Sequence, residues 1–501
     1  MKTTMPQIAG RRADLFVGGD WRKPAAGRYF ASYDPSAGAP WYEAADGDAN
    51  DVDAAVSAAA DAMQDPAWRD ITQTRRGDLI RRLAELIDEN QESLAQLETR
   101  DNGKIIGETR AQMNYLPQYF TYFAGLADKI HGEVLPINKT GMLNFTLREP
   151  LGVVGIIAPW NSPLSILAAA LAPCLAAGNA VVAKPSEHTS ASTLALAELC
   201  MQAGFPAGVF NVVTGYGESA GRALARHPGI AKLAFTGGAD TGREVAAHAA
   251  ANLVPCSLEL GGKSPHVIFD DADPARAVNG VVAGVFAAAG QTCVAGSRCF
   301  VHARVYDDIV AQVAARARAV RIGHPADDAT QLGPLALRAQ REKVERYVQH
   351  GLDEGAKLAA GGGRPGIDGD GWYFQPTVFS DARNDMKIAR DEIFGPVVCM
   401  IRFSDEADLI AQANDSVYGL AAGVWTRDID RALRFARAVD AGTVWVNTYR
   451  SASFVSPAGG FKSSGYGKHN GVEAMREFTR IKSVVIDHSG RDRDAFVIQL
   501  K

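Results

Sequence analysis

Cysteine is scarce in this chain: six residues among 501, with no C-x-x-C pair. That is too thin for a disulfide framework and fits a reducing compartment. Positive charge is not in surplus. The chain has 52 Lys and Arg against 57 Asp and Glu, for a net charge of −5 at pH 7. Nothing is left over to neutralise phosphates, so no nucleic-acid partner is expected. Long apolar runs are missing too. The longest, 166–177, contains Pro173 and falls short of the ~20 residues that a spanning helix needs, so no membrane partner is expected. The opening MKTTMPQIAGRRADLF lacks the apolar core of a signal peptide. The closing IQLK matches no C-terminal address. Together these point to the cytoplasm. Among ten histidines there is no H-x-x-x-H or H-E-x-x-H, so no metal site is expected.

What remains is an ordinary globular composition, 47% hydrophobic and 22% charged. At roughly 150 residues per unit, about three domains are expected. Residues 1 to about 15 read as a loose arm. An amphipathic helix is expected over 74–99, with Leu79, Ile80, Leu83, Leu86, Ile87, Leu94 and Leu97 on one face, capped by Thr74 and ended by Asn102-Gly103. From residue 150, short β-branched runs (153–158, 180–183, 209–214, 230–235, 256–260) alternate with Ala-rich stretches. That is the rhythm of strand–helix units and predicts a doubly wound parallel sheet with ligands at its carboxyl edge. A second α/β set begins near Asp270. Its expected helices are 274–289, 305–320, 335–354 and 428–439; its expected strands are 299–302, 397–403, 421–426 and 442–448, with a Gly-rich loop at 361–371.

Seven segments carry the chemistry. They are Ala158-Pro-Trp-Asn-Ser-Pro163; Ala183-Lys-Pro-Ser-Glu187; Phe235-Thr-Gly-Gly238; Leu258-Glu-Leu-Gly-Gly-Lys-Ser264; Gly290-Gln-Thr-Cys-Val-Ala-Gly-Ser-Arg298; Glu392-Ile-Phe-Gly-Pro-Val397; and Gly459-Gly-Phe-Lys-Ser-Ser-Gly465. Their order and spacing resemble the aldehyde dehydrogenase superfamily over nearly the whole chain. The resemblance implies a Rossmann-like parallel-sheet cofactor domain (1–137 and 151–261), a second α/β domain carrying the nucleophile (262–463), and a small β flap (138–150 and 479–501) that joins subunits into a homodimer or homotetramer. The runs 144–148 and 483–486 match the flap in position and β-propensity, and the tail 494–500 is apolar enough to pack on a neighbour.

The residues also make chemical sense. A planar aldehyde has no electron pair to expel hydride; a thiolate adding to its carbon creates an alkoxide that has one. Cys293 suits that task, whereas Cys174, Cys200, Cys256, Cys299 and Cys399 read as inert buried thiols. The resemblance gives the alkoxide to the Asn161 side-chain amide and the Cys293 backbone N–H, although Asn161 is also good turn chemistry. Glu259, between Leu258 and Leu260, has the setting of a general base for hydrolysing the thioester; alternation alone allows a surface Glu. Gly261-Gly262 gives the chain freedom to place it. Relatives that pass the acyl group to coenzyme A often lack this Glu, so its presence favours hydrolysis over that alternative and over a catalytically silent dinucleotide-binding protein.

The cofactor implied is NAD. Lys184 and Glu187 follow a strand at the carboxyl edge, and a carboxylate there accepts from ribose hydroxyls while repelling a 2′-phosphate; an exposed ion pair is the plain alternative. Gly237 and Gly238 open a helix expected over 240–250, whose free N–H groups suit phosphate. The resemblance adds Trp160, Glu392 and Phe394. Around the aldehyde it places Tyr115, Tyr119, Ser162, Ser165, Ile166, Ala169, Ala287, Thr292, Arg450, Ala452 and Ala458, mostly small side chains, which suggests a wide mouth for a bulky, cyclic or aromatic aldehyde. Many relatives carry an acid where His469 stands. This histidine reads either as a proton shuttle near neutral pH or, more plainly, as a surface residue.

Overall fold

In a computed structural model the described residues are 12–491 and 496. Two large sheets organise them. The first has eight strands in the order Gly465–Tyr466, Cys256–Glu259, Lys232–Thr236, Val153–Ile157, Ala180–Lys184, Phe210–Val212, Leu15–Val17 and Asp20–Arg22. Its five central strands are all parallel and coincide with the five β-branched runs. Numbered along the chain they lie 3-2-1-4-5, so the winding reverses between Val153–Ile157 and Lys232–Thr236. That reversal opens a crevice at the carboxyl ends of these two strands. The second sheet has seven strands: Lys357–Ala360, Thr377–Ser380, Val397–Phe403, Arg298–His302, Pro265–Ile268, Ala421–Trp425 and Thr443–Val446. All its pairings are parallel except the edge strand Lys357–Ala360. Of its members, Pro265–Ile268, Lys357–Ala360 and Thr377–Ser380 were not expected.

Three local expectations need correction. The supposed loose arm is already in strands at Arg12–Ala13 and Leu15–Val17; Leu15, Phe16 and Val17 are buried, which ties it down. The helix expected over 74–99 is two helices, Gln73–Glu89 and Gln91–Asn102, and its cap is Thr72. The break is Asn90, which leaves helical geometry and donates from Nδ2 to the Leu86 carbonyl at 2.8 Å. A short amide that competes for backbone carbonyls is what ends helices. The helix expected over 274–289 stops at Pro274–Val285, followed by a tight turn at Ala287–Gly290.

Strand Met142–Pro150 pairs antiparallel with Thr479–Asp487, with Thr146 opposite Ser483, and Val134–Leu135 adds a third strand. Leu143, Leu147, Ile481, Val485 and Ile486 on this small sheet are exposed. The tail 494–500 falls, except for Phe496, outside the described residues.

Candidate active site

Glu259 is the last residue of its strand, opposite Thr236 on one side and Gly465 on the other. Its side chain therefore leaves the first sheet at the carboxyl edge. Oε1 is buried with no hydrogen-bond partner among the described residues. Burial, against Lys468 and with Glu477, pushes its carboxyl up to about 8. Gly261 and Gly262 follow, and their role is room rather than conformational freedom. A methyl on Gly262 would collide with the Cys293 carbonyl oxygen, and one on Gly261 would meet the Glu392 carboxylate.

Cys293 follows the tight turn. Ala288 and Ala289 sit at φ +54° and +51°, in the left-handed region that costs an L-residue roughly 1–2 kcal/mol. Glu108 holds the turn: its Oε1 accepts the Ala288 N–H at 2.8 Å. Gln291 continues the brace, its side-chain oxygen accepting the Ala336 N–H at 2.9 Å. The Cys293 side chain is half-buried. Burial pushes the thiol up to about 12, with Glu392 and Glu259 adding and Arg450 opposing.

Asn161 lies in the connection from strand Val153–Ile157 to helix Pro163–Ala177. It is buried and donates from Nδ2 to the Gln291 carbonyl at 2.9 Å. That bond ties its amide to the backbone two residues before Cys293. An amide nitrogen carries two N–H bonds, so one remains for an oxyanion.

The crevice at the winding reversal is a cavity of about 1010 Å³ lined by Ile157, Trp160, Lys184, Glu187, Phe235 and Gly237, among others. Lys184 is buried and donates to Glu187 Oε2 at 3.1 Å. Burial pulls the Lys184 ammonium down. Burial is the largest influence on Glu187 and raises it, but Lys184, its own backbone N–H and His188 together hold the carboxyl below its usual range. Gly238 caps helix Ala239–Ala250, one residue earlier than expected. Phe394 is at φ +58°, and its ring meets Trp160 edge-on at 5.3 Å between centroids. The Gln340 side chain fixes that kink, donating to the Ile393 and Phe394 carbonyls at 2.8 and 2.6 Å. Glu392 Oε1 accepts the Gly262 N–H at 3.0 Å, which links this segment to the Glu259 strand.

The whole-chain pattern now has a counterpart among known proteins. Residues 21–484 match the model of the aldehyde dehydrogenase family. The chain belongs to this family. It is 46% identical over 476 residues to hydroxyisobutyraldehyde dehydrogenase of Mycolicibacterium austroafricanum, covering 94% of this chain and 93% of that protein. It is 43% identical over 481 residues to (Z)-2-((N-methylformamido)methylene)-5-hydroxybutyrolactone dehydrogenase of Acinetobacter baylyi, covering 96% and 98%. A betaine aldehyde dehydrogenase from Staphylococcus aureus, solved in complex with NAD+, superposes with a TM-score of 0.95 at 36% identity, covering 97% and 99%.

In this aldehyde dehydrogenase the expected substrate-side residues are not all alike. Tyr115 and Tyr119 lie on helix Ile106–Leu126. Both pack on Phe454, with centroids 5.4 and 6.2 Å away. Tyr119 is buried and donates to Asn470 Oδ1 at 2.8 Å. The Tyr115 hydroxyl accepts the Phe454 N–H at 2.8 Å. Ser165, Ala169 and Thr292 are half-buried, whereas Ala452 is exposed. Ala458 exchanges backbone bonds with His469 at 2.9 Å. Arg450 sits at φ +59° and donates to the Ala283 carbonyl at 3.3 Å. No carboxylate among the described residues pairs with it. Its charge acts on both Cys293 and Lys104.

His469 keeps part of its surface exposed but does not titrate near neutral pH. It is half-buried, and burial pushes its imidazole down to about 4, with Glu477 raising it and Lys232 lowering it. Sequence reasoning also missed Glu108, Gln340, Phe454 and Lys104. Buried Lys104 donates to Ser162 Oγ at 2.7 Å, beside Asn161. None belongs to a recognisable motif, and each reaches the site from a distant segment.

Proposed function

We propose that this protein oxidises an aldehyde to its carboxylic acid with NAD, through a thiohemiacetal and a thioester on Cys293. One observation carries the reading: Asn161 is anchored on the Gln291 carbonyl beside Cys293, while Glu259 has a buried carboxylate oxygen with no partner among the described residues. Cys293 Sγ adds to the aldehyde carbon. Asn161 Nδ2 and the Cys293 N–H receive the alkoxide, and losing one such donor costs ~2.7–4 kcal/mol of barrier. Loss of hydride leaves the acyl thioester. Glu259 then takes a proton from water, whose oxygen displaces Sγ. The unpartnered Oε1 is what favours hydrolysis over acyl transfer to coenzyme A.

NAD, when bound, supplies the hydride acceptor and a positive ring. The crevice has the volume for it, and Glu187 offers ribose hydroxyls a carboxylate. Trp160, Lys184, Gly237, Gly238, Glu392 and Phe394 complete its contacts. Residues 1–137 and 151–261 form the NAD-binding unit and 262–463 the catalytic unit. Segments 138–150 and 479–501 join subunits of a cytoplasmic homodimer or homotetramer.

The substrate class is a bulky, cyclic or aromatic aldehyde. If Ser162, Ser165, Ala169 and Ala458 line the path of the aldehyde, their small side chains suit a bulky substrate better than a short chain, and Tyr115 and Phe454 offer rings for a flat one. The two named relatives fit either side of this: one is named for a small branched aldehyde, the other for a cyclic lactone. Arg450, with no carboxylate partner among the described residues, anchors a substrate carboxylate or carbonyl. The test is reduction of NAD across an aldehyde panel. Benzaldehyde-sized substrates are expected to exceed acetaldehyde in kcat/KM, and Arg450→Ala to raise KM more than it lowers kcat for a carboxylated aldehyde. Better turnover of acetaldehyde overturns the wide pocket.

A further inference from the structure

Strand Cys256–Glu259 carries Ser257 and Glu259 on one face, two residues apart. Lys232, on the neighbouring strand, lies on the same face: its strand pairs Ala234 with Ser257 and Thr236 with Glu259. Glu477, the last residue of helix Gly471–Glu477, closes over this row. Its Oε2 accepts from Lys232 Nζ at 2.7 Å and from Ser257 Oγ at 3.0 Å. Both bonds fall on that one oxygen, and Oε1 has no partner among the described residues. The Lys232 side chain is 5% exposed, whereas that of Glu477 is 27% exposed. One end of Glu477 is thus fixed inside and the other meets water.

We propose that Glu477 is the positioning residue that empties Glu259 of its proton after thioester hydrolysis and passes it to solvent. The proposal rests on the reading of Glu259 given above. Water gives one proton to Glu259 as its oxygen bonds to the acyl carbon, and the C–S pair returns to Cys293. Glu259 must shed that proton before the next turnover. Ser257 stands two residues before Glu259 on the same face, about 6.6 Å along the strand between Cα atoms, and water bridges their side chains. The proton moves through that water and the Ser257 hydroxyl to Glu477, then to bulk water; no redox step is involved.

Other charges frame the pair. Lys468, in the loop after Gly465–Tyr466, acts on Glu259 against Glu477, and Cys293 feels Glu259 from the facing loop. Around Glu477 stand Lys232 and the half-buried His469. The Cys174 and Cys256 thiols feel Lys232 but are held up by burial. Glu473 on the same helix is engaged by Arg476 at 2.6 Å.

The test uses Glu477→Gln, whose amide oxygen keeps the bonds to Lys232 and Ser257, and Glu477→Asp, which keeps the charge. Both are followed by rapid mixing with NAD and benzaldehyde over a range of pH. In Glu477→Gln the burst of NADH is expected at the wild-type rate, followed by several-fold slower deacylation. Loss of the like charge moves the acid limb of deacylation down by about one pH unit. Glu477→Asp is expected to keep the limb where it is in the wild type. A wild-type limb and deacylation rate in Glu477→Gln overturns the relay and leaves the reading of Glu259 standing. Equal loss of burst and deacylation in both variants makes Glu477 merely structural and also overturns it. If Glu259→Gln turns over like the wild type, the reading and the relay fall together.

Discussion

In the proposed mechanism the Cys293 thiol has to become a thiolate, and burial holds its proton to about 12. In the empty protein at neutral pH it is therefore protonated, and a positive charge beside Sγ is what lowers it. Iodoacetamide is accordingly expected to inactivate the protein slowly at pH 7 and faster once NAD is added. Cys293→Ala should abolish NAD reduction while leaving NAD binding intact, measured by fluorescence titration. In the proposed mechanism Glu259 is the base of the second half-reaction. A general base works ionised, and this one is raised to about 8. Thioester hydrolysis should therefore rise as pH climbs through 8 and fall away below it. Glu259→Gln should leave a burst of NADH followed by deacylation slower by about 10²–10⁴-fold. At the far end of the crevice, Glu187→Ser removes the carboxylate proposed to repel a 2′-phosphate. It should narrow the preference for NAD over NADP, read as the ratio of kcat/KM values.

At the scale of elements, the turn Ala287–Gly290 is a strained piece held from outside. Glu108→Ala leaves the Ala288 N–H without its acceptor, and an orphaned buried donor costs about 1–3 kcal/mol. Both Tm and kcat should drop, because the same turn places Cys293. This turn also shows where sequence reading ends. Three alanines in a row have high helix propensity, and nothing local shows that Glu108, 180 residues away, holds them otherwise. The central strands of the first sheet were legible because parallel strands are buried on both faces and read as unbroken β-branched runs. Pro265–Ile268 was not, since proline and histidine dilute a four-residue run. Phe454 escaped for the same reason as Glu108: it meets Tyr115 across 339 residues of chain. His469 misled because a local sequence does not show how much of a side chain the folded chain covers; burial is what lowers its imidazole, with Glu477 and Lys232 acting on it from other elements.

On the scale of the whole molecule, the small sheet of Met142–Pro150 and Thr479–Asp487 leaves an apolar row uncovered, with Ile481 61% and Val485 54% exposed. Ile481→Lys combined with Val485→Glu should yield a smaller species than the wild type by light scattering, with the Cys293 burst retained. This sheet has a second consequence, in the order in which the chain is made. Asn144 and its partner Ser483 are 339 residues apart. At about 5–20 residues per second of synthesis, the first of these strands waits roughly 20–70 seconds with an open edge. An unpaired apolar edge is a template for the wrong neighbour. During that interval each nascent chain on a shared messenger exposes the same sticky ribbon, so yield of folded protein should depend on ribosome spacing and holdase chaperones more than on the stability of the finished fold.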